Sequence, residues 1–403
     1  MRLLTVTALA LGALALLAAC SAPVGGPTPT PPAPLRPTNT PQPTAPPGET
    51  PTAAPQPTAT MPPSPTPAAL QLAYIAQGDL WLTGIEGPGE RLTEQGGITD
   101  LAWSLEGARL AYVRQEGSQP RIYLLPADRS QAPQPLTSGS APAWLPDGRR
   151  LAFNRDYQVY VIGADGSDER RLSQDDAWVW GNPAFSADGE SVIAAGALRD
   201  FIGASGNTEF YLYRFPLAGG PAVRLPGLSA PFNGRLPASL RLAPGGAHLA
   251  FFTSFHNNAC SAPGDYIVLE SDGSSAHSIV PEKLTQQIDP RRDISLVGLG
   301  FAWGPAGARL ALAARVNDCS RFYSEGQGPI LGPAVIYIVD LEGRLLADLA
   351  KPGSELSWSA DGSRLAYVAR PSPIQLEGTI FTLAVDGSDE RAIGPGQRPV
   401  WRP

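Results

Sequence analysis

Few residues in this chain have types and spacing suited to chemistry. Three cysteines, Cys20, Cys260 and Cys319, and three histidines, His248, His256 and His277, are the scarce reactive groups. A second set has recognition chemistry: Trp178 and Trp180 in D-D-A-W-V-W-G-N, then Phe201, His256, Asn257, Arg321 and Tyr323. Exposed aromatic and arginine side chains are the usual anchors of protein interfaces, and a tryptophan pair also suits a sugar ring. Catalytic groupings are missing. There is no G-x-S-x-G elbow to present a serine nucleophile. His248 is predicted on a strand, His277 lies near another, and only His256 falls in a long loop, so no three imidazoles converge on a metal. The D-G-S-D strings at 165–168 and 386–389 lack the further carboxylates a calcium loop needs. These residues lead to the expectation of binding without catalysis, metal or cofactor.

The N-terminus sets where such binding would happen. Met1 and Arg2 precede an apolar run over residues 3–17, too short for a membrane span of about 20 residues. It is the length of a signal-peptide core, and it ends in L-A-A-C with Cys20 as the cysteine. This resembles the bacterial lipoprotein lipobox, which implies cleavage after residue 19, lipidation of Cys20 and an extracytoplasmic protein anchored to the cell membrane by lipid. From 20 to 69 the chain is rich in Pro and Thr, with 18 of its 44 prolines between Pro23 and Pro67 and only Arg36 and Glu49 charged. Proline fixes φ and removes a donor, so a disordered, extended linker is expected, at about 3.1 Å per residue. With Cys20 lipidated, Cys260 and Cys319 remain as an even pair in a compartment that tolerates disulfides. They fall in equivalent loops of neighbouring repeats, and a bridge is expected. Net charge is −7, with 28 Arg and two Lys and no basic block. A nucleic-acid partner held through phosphates is excluded.

What positions the recognition residues is a repeat. L-A-W-S-L-E-G-A-R-L-A-Y at 101–112 recurs as P-A-W-L-P-D-G-R-R-L-A-F at 142–153 and P-A-F-S-A-D-G-E-S-V-I-A at 183–194. It returns as L-R-L-A-P-G-G-A-H-L-A-F at 240–251, F-A-W-G-P-A-G-A-R-L-A-L at 301–312 and L-S-W-S-A-D-G-S-R-L-A-Y at 356–367. Each reads as strand, tight turn, strand, since Asp bonds locally and Gly supplies the positive φ of the bend. Third strands are expected at 79–83, 122–125, 159–162, 210–215, 266–270, 335–340 and 379–385, each followed by a short fourth. Four antiparallel strands repeating every 40–60 residues predict an all-β fold, a β-propeller. L-A-Y at 72–74 lacks its first strand, and R-P-V-W at 398–401 lacks its second. Together they complete a seventh blade, so residues 70–403 are expected to form seven four-stranded blades. The ring is closed by pairing the C-terminal strand with the N-terminal blade.

The W-S-x-D-G-x-x-L-A-Y pattern resembles the TolB-like, WD-like propeller repeat family over residues 70–403. The resemblance implies the fold and leaves the activity open, because its members include protein-binding envelope factors, propeller halves of serine peptidases and some lyases. The repeated Trp residues are read as blade-to-blade packing. Both turn classes fall on one face of the disc. Loop length varies on the other, with expected long loops at 195–209, 253–265, 314–334 and 370–378 and long connections at 226–238 and 281–296. That face is the expected platform for a protein or envelope-glycan partner. The alternative is a hydrolase or lyase at the channel mouth, which convergent carboxylates, His or Arg there would favour.

Overall fold

The structure is a computed structural model that describes residues 70–85, 89–199, 210–226, 236–254, 264–289, 294–320, 330–371, 375 and 377–403. Cys20, Phe201, His256, Asn257, Cys260, Arg321 and Tyr323 lie outside the described residues, as do the expected signal peptide and linker. The described chain is built of antiparallel sheets. In chain order β1 (Leu72–Ala76), β2 (Asp79–Thr83) and β3 (Glu90–Arg91) are followed by a sheet of β4 (Ile98–Trp103), β5 (Arg109–Glu116), β6 (Gln119–Pro126) and β7 (Gln134–Ser138). The next holds β8 (Ser140–Trp144), β9 (Arg150–Arg155), β10 (Gln158–Gly163) and β11 (Arg170–Arg171). Then come β12 (Trp178–Trp180), β13 (Ala184–Phe185), β14 (Ser191–Leu198), β15 (Tyr211–Pro216) and β16 (Val223–Arg224). A sheet of β17 (Leu236–Leu242), β18 (His248–Ser254), β19 (Asp265–Glu270) and β20 (His277–Ser278) precedes a single-turn helix, α1 (Glu282–Thr285). The chain continues through β21 (Ile294–Trp303), β22 (Arg309–Asp318), β23 (Ile330–Leu331), β24 (Val335–Asp340) and β25 (Leu345–Asp348). It ends with β26 (Ser354–Trp358), β27 (Arg364–Ala369), β28 (Gly378–Ala384) and β29 (Arg391–Trp401).

One register recurs in every sheet. The last residue of the first strand faces the first apolar residue of the second: Trp103↔Leu110, Trp144↔Leu151, Phe185↔Val192, Leu242↔Leu249, Trp303↔Leu310 and Trp358↔Leu365. The turn between them is equally constant. At Gly148, N–H donates to the Leu145 carbonyl at 3.0 Å while Leu145 N–H donates to Arg150 at 2.9 Å, and the same two bonds occur in the other five units. Asp147, Asp188 and Asp361 accept from the N–H two residues on, at 2.8, 2.9 and 3.0 Å, as the D-G reading requires.

The eleven residues of β29 serve two neighbours. Their first half pairs with β28, and their second half with β1, where Trp401 faces Leu72 and Val400 faces Ala73. Strands β26–β29 and β1–β3 thus form one seven-stranded sheet.

The core lies between sheets. Val159, Val161 and Leu172 of one pack with Trp180, Phe185, Val192 and Phe215 of the next. Tyr266 and Val268 pack likewise with Phe301, Trp303 and Tyr337. The repeated tryptophans tie sheets together: Trp103 Nε1 donates to Val400 O (3.2 Å), Trp144 Nε1 to Ala102 O (3.0 Å) and Trp303 Nε1 to Arg241 O (3.3 Å). Their expected packing role holds at these positions.

Two expectations need correction. Strands run into segments read as loop, β14 to Leu198 and β22 to Asp318, because β12 and β21 extend far enough to pair with them (Trp178↔Leu198, Ile294↔Asp318). The unit at 183–194 also has a divided first strand, β12 and β13, both paired with β14. Pro183 sits in the gap and has no N–H to continue the ladder.

Candidate functional site

Strands β4, β8, β12, β17, β21 and β26 each lie at the edge of a sheet, and the ladders that most of them make are irregular. Register shifts fall at Ile98/Asp100, Ser140/Ala143, Ala238/Arg241, Gly298/Gly300 and Ser354/Ser357, and at Ala73/Ile75 opposite β29. Three residues before the register-marking residue, Ala141, Ser239, Glu355 and Arg398 have φ of 52°, 56°, 53° and 50°. L residues avoid this region, and a bulge of this kind re-aims a side chain. Ala141 shows that the bulge belongs to the repeat. Glu355 and Arg398 place charge on it.

These charges meet. Arg398 donates from its backbone N–H to Glu355 Oε2 at 2.6 Å and from Nη1 to Asp100 Oδ1 at 2.9 Å, 298 residues away in sequence. Arg370, just beyond β27, donates to Glu355 Oε1 at 2.6 Å and to Ser354 Oγ at 2.8 Å. Arg241 of β17 joins them through space: its guanidinium feels both Asp100 and Arg398. Packing of protein around it pulls its pKa below the usual arginine value, Arg398 adds to the depression and Asp100 opposes it. Yet Arg241 is an exposed residue. Among the described residues Arg241 has no hydrogen-bond or ion-pair partner for its guanidinium.

Sequence reasoning missed this cluster of Asp100, Arg241, Glu355, Arg370 and Arg398. A signal was available. The residue before the register-marking position reads Ala102, Ala143, Ala184, Arg241, Ala302, Ser357 and Val400 around the repeats, six small or apolar residues and one arginine.

The residues named from sequence are placed differently. Trp178 and Trp180 stack at 5.7 Å on β12, and Tyr213 meets both edge-on at 5.4 and 5.3 Å. Phe215 meets Trp180 at 4.8 Å, and Gly196 opposite gives that ring room. Trp180 is 6% exposed and belongs to the core, which corrects its reading as a loop-face anchor. Its strand pairing with β14 turns the ring inward between sheets. Trp178 is half-buried. Cys319 follows β22 and is fully buried, with its Sγ 3.6 Å from Ser295 Oγ. His248 sits on β18, 3.5 Å from Glu270, and His277 on β20 contacts the carbonyl oxygens of Ser275 and Leu341. Neither approaches this cluster in any described contact. Among the described residues no group of three or more His, Cys, Asp or Glu could hold a metal.

No family model matches the chain. A segment of 118 residues is 30% identical to an uncharacterized peptidase, YuxL, of Bacillus subtilis (strain 168). The match takes in 26% of this chain and spans 18% of that protein's length. Among solved structures, an oligogalacturonate lyase in complex with manganese superposes with a TM-score of 0.56 at 15% identity, covering 81% of this chain and 85% of that one. TolB from Acinetobacter baumannii superposes with a TM-score of 0.45 at 16% identity, covering 83% and 67%. At such identities structural likeness speaks to fold alone. The chain is an all-β protein of the propeller fold, built from four-stranded antiparallel sheets.

Proposed function

We propose that this chain is a lipid-anchored, extracytoplasmic, seven-bladed β-propeller that binds a protein or envelope-glycan partner without transforming it. The observation that carries the reading is the state of the clustered charges. Asp100 and Glu355 are each already held by arginine. A general base must be able to take a proton from its substrate, and a carboxylate bonded to a guanidinium is poorly placed to do so. Arg241 is the group left with free donors, and free donors recognise. Ring closure is supported by the β29–β1 ladder and by contacts that run from β4 to β8, β13 and β17, through β18 to β21 and β26, to β29 and back to β4.

Anchoring would follow from Cys20, and replacing it with Ser should move the protein from the membrane fraction to the soluble one. A Cys260–Cys319 bridge would fix two neighbouring loops, and recovery of both peptides with alkylatable thiols from a non-reduced digest would exclude it. The second reading, a hydrolase, is favoured by the 118-residue likeness to a peptidase. One experiment separates them. The full chain and a variant with residues 321–329 replaced by a short Gly/Ser linker are cross-linked in cells, and the purified chain is incubated with peptide and polysaccharide substrates. Binding predicts a partner that only the full chain captures, with no product formed. Turnover by the purified chain would overturn it.

A further inference from the structure

We propose that Arg241 is the receptor for a single carboxylate group on the ligand. This rests on the binding reading above and names the chemistry it would use. Four observations converge. Arg241 is the one charged residue at its position in the repeat, where the others are small or apolar. Its backbone is fixed, since its carbonyl accepts from Trp303 Nε1 and Arg241 pairs with Ala250 in the ladder. Its side chain is exposed, while Arg398 beside it is engaged by Asp100, and Arg370 by Glu355. The surrounding protein and Arg398 lower its pKa, and a bound anion would act in the opposite direction.

The charge sum selects the ligand. Asp100 and Glu355 are held by Arg398 and Arg370, while Arg241 brings one positive charge with no described counter-ion. A monoanion neutralises it. A phosphate dianion would leave a net negative charge beside Asp100 and Glu355. The planar guanidinium fork also matches a carboxylate with two parallel hydrogen bonds.

The test uses the full chain in detergent with ¹⁵N-labelled arginine, the Arg241 resonance being assigned by its loss in Arg241→Gln. Sodium benzoate, benzamide and inorganic phosphate are titrated at constant ionic strength. Benzoate should move the Arg241 Nε–H signal saturably, benzamide should not, and phosphate should bind more weakly. Arg241→Gln should weaken benzoate binding on the order of tenfold to a hundredfold, the worth of a charge-assisted contact. Arg241→Lys should recover part of that loss. The unfolding midpoint of both variants should match the parent, because the guanidinium has no described partner. No saturable shift, or phosphate binding as tightly as benzoate, would overturn the assignment. If benzoate fails while the cross-linked partner is still captured, the carboxylate site is wrong and the binding reading stands. If benzoate binds and turnover is found, the site stands and the non-enzymatic reading falls.

Discussion

Single residues decide how this fold meets acid. Asp79 opens β2 and is 1% exposed. Burial alone would raise its pKa, but it accepts from Gly96 N–H at 2.9 Å, from Arg91 at 2.5 Å and from Thr93 Oγ1 at 2.8 Å, and the net direction is down. A depressed folded pKa contributes stability that is present above the unfolded value of about 3.9 and is lost as pH falls through the folded one. Asp79→Asn should lower stability near neutral pH by roughly 1.5–3 kcal/mol, the range for bonds to a charged group. The gap between variant and parent should close between about pH 5 and pH 2. Urea midpoints across that range measure it. A gap that stays constant would mean the carboxylate charge contributes nothing. The sequence hid this role because an aspartate at a strand start reads as an ordinary boundary. Its counterpart Gln158, which accepts from Ser173 Oγ at 2.6 Å, shows that the repeat wants an acceptor there and is indifferent to charge.

At the scale of the element, strands and turns were legible and their meeting points were not. Seven third strands read from their place in the repeat match β2, β6, β10, β15, β19, β24 and β28 within a few residues, because short apolar runs and Asp-Gly turns are local signals. The first-strand bulges carry no local signature: Ala141, Ser239 and Glu355 share a conformation and no chemistry. The charge cluster escaped for the same reason, since Asp100 and Arg398 meet only once the sheets are assembled. How turns abut is also a tertiary fact, and it can be tested at two adjacent glycines. Gly245 and Gly246 both have positive φ, +86° and +77°. A Cβ on Gly245 would meet nothing within 4 Å, whereas one on Gly246 would lie 2.1 Å from Ala187 Cβ in the preceding unit's turn. Gly245→Ala should therefore lose about 1–2 kcal/mol from its left-handed backbone alone. Gly246→Ala should lose a further 1–3 kcal/mol or so from overpacking. Equal losses in chemical denaturation would show that the two turns are not in contact.

For the whole molecule the decisive joint is the one between its ends. Residues 72–76 and 398–401 are fragments of one repeat at opposite ends of the repeat region, and the ladder between β1 and β29 joins them. Trp401 is 3% exposed, and its backbone N–H bonds Ser357 Oγ at 3.0 Å. Arg402 reaches both ways, to Gln71 Oε1 at 2.6 Å and to the carbonyl of Gly107 at 2.7 Å, with its guanidinium over the Trp103 ring. Val400 supplies the acceptor for Trp103 Nε1. Deleting residues 400–403 removes all of these at once. The Trp401 side chain alone should be worth about 3–5 kcal/mol. The deletion also strips β1 of part of its partner and leaves ladder groups open to other chains. Trp401→Ala separates the two effects, since it empties the core position and keeps the ladder. Both variants should unfold at lower denaturant, and only the truncated one should aggregate with increasing concentration in light scattering. If truncation leaves the midpoint and the scattering unchanged, the β1–β29 ladder does not hold this seven-stranded sheet together, and β1–β3 must be stabilised by other contacts.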